Sequence, residues 1–365
     1  MPVKASYEDL TPTSAPSATE GRLYYDSAEK VLKYYDGTSW VAITGKVGYD
    51  GFDNNGGGSW VKYIRIPLTT LPSTQGQYKI VIDSTNVSVY RPKGAGTLLS
   101  QGAVGGTFWS HVKADGSDIR LFDEAYSQLY FYIEEWDPST ENAVIYVDVP
   151  AGTHEVNIAF GNPLATESAY HSEQTFPLMN HFDSNYNGFT IVGDPTVELT
   201  TYDGRSVLKV VTNSADDAVF YTTKSFDRTH QFEGYYFAST AQSGLGYMSN
   251  GTTSNMYVLR PARLYRLFKV VNGSFTNLAD GSVSFVYNTW YFQRLWFEGD
   301  TIYGYVENPP NNKSETVSAT DSTFSSGYYG VANFVSGTIT YYVDYLRVIK
   351  IDTTAVFGTP TAMDF

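Results

Sequence analysis

From Trp60 to Ile351 the apolar residues recur in short period-two runs, each closed by Gly, Pro, Asp or Asn. Successive side chains on a strand point to opposite faces, so each run is a strand with at least one buried face. Over residues 60–176 the runs are VKYIRIPL, YKIVID, VSVYRP, IRLFD, LYFYIEEW, AVIYVDV and HEVNIAFG, a spacing that predicts a β-sandwich. Helical periodicity is not sustained there, and the nearest candidate helix, Leu164 to Glu173, is short. Residues 177–351 continue with GFTIVG, VLKVVT, AVFYTTKSF, FEGYYFAS, MYVLRP, RLYRLFKVV, WYFQRLWFEG, TIYGYVE, YYGVANFV and TITYYVDYLRVIKI. That is more strands than a simple immunoglobulin-like sandwich holds, and it predicts a jelly roll. The fold class is all-β.

The ends read differently. Residues 1–20 are rich in Pro, Ser, Thr and Ala, an extended arm without a core. Residues 21–46 contain GRLYYDSAEKVLKYYDGTSWVAI, whose aromatic runs end at Asp26-Ser27 and Asp36-Gly37 before Trp40-Val41, a meander of hairpins too small to bury a core alone. GYDGFDNNGGGS falls within residues 47–59, which read as a linker. Residues 352–365 break the pattern at Gly358 and Pro360 and read as a tail, either frayed or docking Val356, Phe357 and Phe365 on a neighbouring subunit.

Composition excludes several function classes. A net charge of −14 repels phosphate backbones and no Lys/Arg cluster offsets it, which argues against nucleic acid as a partner. Without cysteine there is neither a disulfide framework nor a thiolate metal site. No apolar run is long enough for a membrane span, and the N-terminus lacks the apolar core of a secretory signal. With 31 Tyr, strands and assembly surfaces dominate the expectation.

Three stretches resemble known families. The YYDG-x-x-W segment, Tyr34 to Trp40, resembles a motif of bacteriophage and archaeal virus tail-fibre and virion proteins. The resemblance implies a virion-surface protein assembled in the host cytoplasm, homo-oligomeric and attached to other virion proteins through Leu23, Tyr24, Tyr25, Tyr34, Tyr35 and Trp40. In the middle, Asp115-Gly116-Ser117-Asp118-Ile119-Arg120, Tyr132-Ile133-Glu134-Glu135-Trp136-Asp137, Ala143 to Val149 and Ala159-Phe160-Gly161-Asn162-Pro163 resemble a domain of unknown function of archaeal and bacterial surface proteins. The usual pattern has Tyr-Trp where this chain has Phe131-Tyr132, Phe where it has Leu121, and paired Tyr where it has Ala159-Phe160. The succession from Ala262 to Glu307 and the terminal YYVDYLRV resemble the concanavalin-like jelly rolls of legume lectins and laminin-G domains.

Candidate chemistry is sparse. Glu134 and Glu135 are adjacent on one strand and face opposite sides, so they cannot form the facing carboxylate pair of a glycosidase; Glu135 and Asp137 share a face. His111, His154, His171, His181 and His230 show no metal-binding spacing, and there is no G-x-S-x-G elbow. The lectin-like resemblance implies a calcium loop, for which Asp183, Asn185 and Asn187 before Gly188 are the candidates; no closing Glu follows, and a plain turn is the alternative. In Tyr235-Tyr236, Tyr328-Tyr329 and Tyr341-Tyr342, alternation sends one ring of each pair outward, toward a glycan or another subunit. The expectation is therefore a non-enzymatic virion protein, a spike, fibre or decoration, that projects lectin-like domains toward host-surface glycans. A carbohydrate-active enzyme or its binding module, and a prokaryotic cell-surface adhesin, are the alternatives.

Overall fold

Strand alternation builds two β-sandwiches joined at two chain crossings. The computed structural model describes residues 23–26, 31–35, 38, 40–42 and 60–364, apart from 95, 194, 213–218, 239–242, 262–263, 283–285, 309–312 and 335–337. The expected arm (1–20), the linker (47–59) and Phe365 lie outside the described residues. The expected meander is present as an antiparallel sheet of Leu23–Asp26, Val31–Tyr35 and Trp40–Ala42, with Leu23 opposite Tyr34 and Tyr35 opposite Trp40. The side chains of Leu23, Tyr24, Tyr25, Tyr34 and Trp40 lie outside the described set; Tyr35 is half-buried.

The first sandwich packs two antiparallel sheets. One runs Thr97–Gly102, Val87–Arg91, Gly76–Ile82, Asn142–Val149, Phe131–Asp137; the other runs Val356–Phe357, Lys62–Thr70, Glu155–Phe160, Arg120–Phe122, with Thr361–Asp364 also on Lys62–Thr70. Between them lie Ile64, Ile66, Ile80, Ile145, Ile158 and Phe160, the inward halves of the period-two runs.

The C-terminal residues are therefore strands and not a tail. Phe357 is buried in the sandwich core with its ring edge-on to Tyr78 at 4.8 Å, while Val356 is exposed. Gly358 and Pro360 lie between the two short strands without ending the pairing: Gly358 N still donates to Pro67 O, and Pro360 O lies where a Cβ on Gly102 would clash with it. No run of six alternating residues marks these strands, so a period-two search passes over them.

The second sandwich is larger. Sheet I runs Thr196–Tyr202, Arg205–Thr212, Ile339–Lys350, His230–Ala238, Thr289–Glu298, Thr301–Asn308, Lys313–Thr320, with Leu178–Asn180 on Ile339–Lys350. Sheet II runs Phe189–Val192, Val219–Thr222, Ser326–Asn333, Ser243–Met248, Asn255–Pro261, Tyr265–Val271, Ser274–Asp280, with Phe226–Asp227 on Ser326–Asn333. Their shared core holds Phe232, Tyr236, Leu245, Tyr247, Tyr257, Leu295, Tyr329, Tyr341 and Leu346. The chain is all-β, with two sandwiches of which the second is the expected jelly-roll type; a single helical turn at Gly105–Trp109 is its one α-element among the described residues. Leu164 to Glu173 is not a helix, and only the 3₁₀ turn Glu173–Thr175 forms, capped by Ser172 Oγ, which accepts from Gln174 N.

Leu178 pairs with Val348 and Asn180 with Leu346, so the chain enters and leaves the second sandwich side by side. The second sandwich is thus inserted into the first, whose last strands come after it in sequence. Adjacent ends are the geometry at which a domain insertion leaves the host core intact.

Candidate functional site

The outer face of sheet I carries the most chemistry. Along His230–Ala238, Thr289–Glu298 and Ile339–Lys350, inward residues such as Phe232, Tyr236, Tyr291, Leu295, Tyr341 and Val343 fill the core. Their neighbours Glu233, Tyr235, Phe237, Trp290, Arg294 and Tyr342 point the other way. An irregularity in pairing at Asp344, where Tyr235 opposes Tyr345 and Tyr236 opposes Val343, divides this face in two.

One half is the joint between the sandwiches. Buried Glu233 accepts from Arg294 Nε at 2.6 Å and from Arg347 Nε, while Arg347 also pairs with Glu134 at 2.7 Å and donates to Tyr146 Oη at 3.1 Å. The Arg347 guanidinium lies 4.5 Å from the Tyr146 ring and 5.1 Å from Phe176. Gln231 Nε2 donates to Pro92 O at 2.8 Å, its Oε1 accepts from Gly94 N at 3.0 Å, and Arg294 Nη1 donates to Gly94 O. Val144, Tyr146, Phe176, Met179, Ile349 and Ile351 pack around the network. Burial pushes the Glu233 carboxyl up, but Arg347 and Arg294 outweigh burial and hold it at about 2.

The other half is an aromatic surface. Tyr202 stacks on Tyr342 at 3.8 Å and 6°, Tyr235 stacks on Trp290 at 5.1 Å and 4°, and Phe237 meets Trp290 and Tyr342 edge-on at 5.8 and 5.9 Å. Strand register explains the cluster, because Phe237 stands directly opposite both Trp290 and Tyr342. The hairpin tip completes it: Asp203 and Gly204 have φ of 53° and 76°, as a two-residue turn with both centres left-handed requires. That turn lets Asp203 Oδ2 accept from Trp290 Nε1 at 3.0 Å and sets Arg205 at 4.9 Å from the Tyr235 ring, paired with Asp344 at 2.7 Å. Tyr202, Tyr235, Phe237 and Tyr342 are half-buried and Arg205 is exposed. Burial raises the Asp344 carboxyl pKa, against the lowering effect of Arg205. Ring faces bordered by a guanidinium and carboxylates suit a ligand with apolar C–H faces and hydroxyl edges.

The tyrosine pairs separate as alternation requires. Tyr236, Tyr329 and Tyr341 are buried in the core, so as contact residues they are corrected: no ligand or subunit reaches them. Tyr235 and Tyr342 stand in the aromatic surface, and Tyr328 lies half-buried on sheet II beside Tyr221. Sequence reasoning passed over Tyr202, Arg205 and Phe237 as contact residues, and over Trp290, which is buried and stacks on Tyr235. Asp203-Gly204 between alternating runs was the available signal for the first two.

The expected calcium residues form a turn in this structure. Asn185 Oδ1 accepts from Asn187 N at 2.8 Å and from Asn180 Nδ2 at 3.3 Å, and the Asn187 carbonyl accepts from Asn180 Nδ2 at 3.2 Å. Both hydrogen bonds on Asn185 Oδ1 thus come from the chain itself. Among the described residues no group of three or more His, Asp or Glu is placed to hold a metal ion.

The acidic cluster is divided among separate partners. Glu134 faces Arg347, Glu135 accepts from Asn142 Nδ2 at 2.9 Å, and Asp137 is held at about 2 by Ser139 and Thr140. Between the sandwiches a polar cleft of ≈ 400 Å³ is lined by Gln75, Gln77, Asp148, Lys224, His230 and Lys350 among others. There Asp148 accepts from Gln75 at 2.5 Å and Gln77 at 2.7 Å, and burial raises its carboxyl pKa.

A family model described as a domain of unknown function (DUF2341) matches residues 115–190, the stretch that holds the middle-domain resemblance and the Glu134, Tyr146 and Phe176 side of the joint. Among solved structures, the carbohydrate-binding module CBM66 from Bacillus subtilis is 21% identical, covering 49% of this chain and 96% of its own, with a TM-score of 0.34. A Bacillus subtilis protein of unknown function with a galectin-like fold is 13% identical over 50% of this chain and 96% of its own, with a TM-score of 0.36. Basic winged bean lectin with Tn-antigen is 6% identical over 47% of this chain and 97% of its own, with a TM-score of 0.37. No curated protein matches the chain.

Proposed function

We propose that this chain is a non-catalytic glycan-binding protein of a virus particle, attached through residues 21–46 and presenting the outer face of sheet I. The observation that carries the binding role is the aromatic surface of Tyr202, Tyr235, Phe237 and Tyr342, backed by buried Trp290 and edged by Arg205, Asp203 and Asp344. The separate engagement of Glu134, Glu135 and Asp137 favours binding over hydrolysis. Attachment is supported by the three-stranded meander, a sheet of short strands too small to enclose a core of its own.

Glycan-array screening of the full chain tests the binding role. Retention of a defined glycan set by the wild type and its loss in a Tyr342→Ala variant that still melts as a folded protein are expected; no retained glycan, or equal retention by the variant, overturns the proposal. Subunit packing by the same rings predicts a different outcome, in which Tyr342→Ala changes the oligomer seen by light scattering. Deleting residues 1–46 should abolish incorporation into particles, and normal incorporation refutes attachment.

A further inference from the structure

We infer that the outer face of sheet II holds a site for an acidic sugar, one bearing a carboxylate or sulfate, anchored by Arg260 and bordered by Phe275 and Phe334. Arg260 stands directly opposite Arg266 across the Asn255–Pro261 and Tyr265–Val271 pair, and like charges at facing positions destabilise a sheet. Arg266 is relieved by Asp280 at 2.7 Å. Arg260 has no such relief among the described residues: alone of the described arginines it has neither a carboxylate nor a carbonyl partner there, and its Nε is buried without an acceptor. Its guanidinium is set instead among the rings of Phe268, Phe275 and Phe334, at 5.4, 6.0 and 5.5 Å. Burial and the neighbouring Arg266 both lower its pKa, the signature of a cation with no counter-charge.

Arg91 and Arg120 have backbone carbonyl acceptors, so a half-buried guanidinium with neither a carbonyl nor a carboxylate is the exception among the described residues. Arg294 and Arg347, buried in the joint, share Glu233. A planar fork of unmet donors matches a carboxylate or sulfate in bidentate fashion. Phe275 is 46% exposed and lies perpendicular to Phe334 at 5.1 Å, which puts an exposed ring beside the cation for the C–H face of a sugar. Anchor and ring together select a charged sugar over a neutral sugar or a bare anion. This site is on the opposite sheet from Tyr342 and does not rest on the sheet I reading.

The test is titration calorimetry of the full chain with methyl β-D-glucuronide, methyl β-D-glucoside and sodium sulfate. Binding of the glucuronide and weakening by salt are expected, with no heat from the glucoside. Arg260→Gln should weaken glucuronide binding about tenfold or more. Arg260→Lys should retain part of it, Phe275→Ala should weaken it, and Tyr342→Ala should leave it unchanged. Arg260→Gln should melt at or above the wild-type temperature, since it removes an uncompensated charge; if it does not fold, Arg260→Lys and Phe275→Ala carry the readout. No glucuronide binding, equal binding by Arg260→Gln, or loss in Tyr342→Ala overturns the assignment. Sulfate that competes as well as glucuronide, with Phe275→Ala unaffected, overturns the sugar and leaves only an anion site.

Discussion

The two halves of the sheet I outer face have the same origin and opposite fates. Both are rows of outward side chains on the same three strands, and both are rich in aromatic and charged groups. In the joint, Arg294 and Arg347 meet buried Glu233 under the cover of the first sandwich, and Arg347 also meets Glu134 at its open edge, so the central charges are desolvated and paired. Beyond the irregularity at Asp344 no such cover exists among the described contacts, and rings stack on one another with Arg205 as an exposed edge. A surface charge can lose its partner cheaply, whereas a buried one cannot. The joint should therefore govern stability and the aromatic half should govern binding.

The largest effect expected is from Glu233→Ala, which leaves Arg294 and Arg347 without their shared carboxylate and should cost about 3–5 kcal/mol in chemical denaturation. Glycan retention by the molecules that remain folded should be unchanged; loss of binding at unchanged stability breaks the division of labour.

Acid should separate the halves in sign. Glu233 is held at about 2 against an ordinary 4.5, so its contribution is complete above 4.5 and is lost as pH falls from there toward 2. Asp344 in the aromatic half has a raised pKa, so it favours the folded state as pH falls toward and through its ordinary 3.8. A melting temperature that falls between pH 4.5 and 2 in the wild type, with a flatter profile in Glu233→Gln, is the expected result.

Smaller changes sharpen the aromatic side. Tyr342→Ala removes a stacked pair with Tyr202 and should cost about 0.5–1.5 kcal/mol beyond lost area, less than Glu233→Ala, while abolishing glycan retention. Arg205→Ala breaks an exposed pair with Asp344 and should cost about 0.2–1 kcal/mol. Chelation should leave the melting temperature unchanged, because both donors on Asn185 Oδ1 already come from the chain; a fall on chelation, restored by calcium, shows that the 183–187 loop rearranges around an ion.

Much of the architecture is readable from local pattern. Strands such as Lys62–Thr70 and Thr301–Asn308 alternate buried and open positions along their length, and the period of two decides that one ring of each Tyr pair turns inward, while the fold decides that it is Tyr236, Tyr329 and Tyr341. Polar edge strands such as Lys313–Thr320 and Ser274–Asp280 escaped because one face meets only solvent and no apolar row marks them. The candidate site was half legible: Tyr235 and Tyr342 were, while Trp290 and Tyr202 join them only through strand neighbours far apart in sequence.

By itself, the sequence determined an all-β chain, the position of most strands and the inward or outward sense of the residues on them, because these follow from backbone periodicity within a few residues. Which outward residues meet water and which meet another sandwich was decided only in three dimensions. Glu134, Glu233, Arg294 and Arg347 form one network, and Phe357 closes a core begun at Ile64, because the second sandwich is inserted into the first and its paired ends bring distant strands into register.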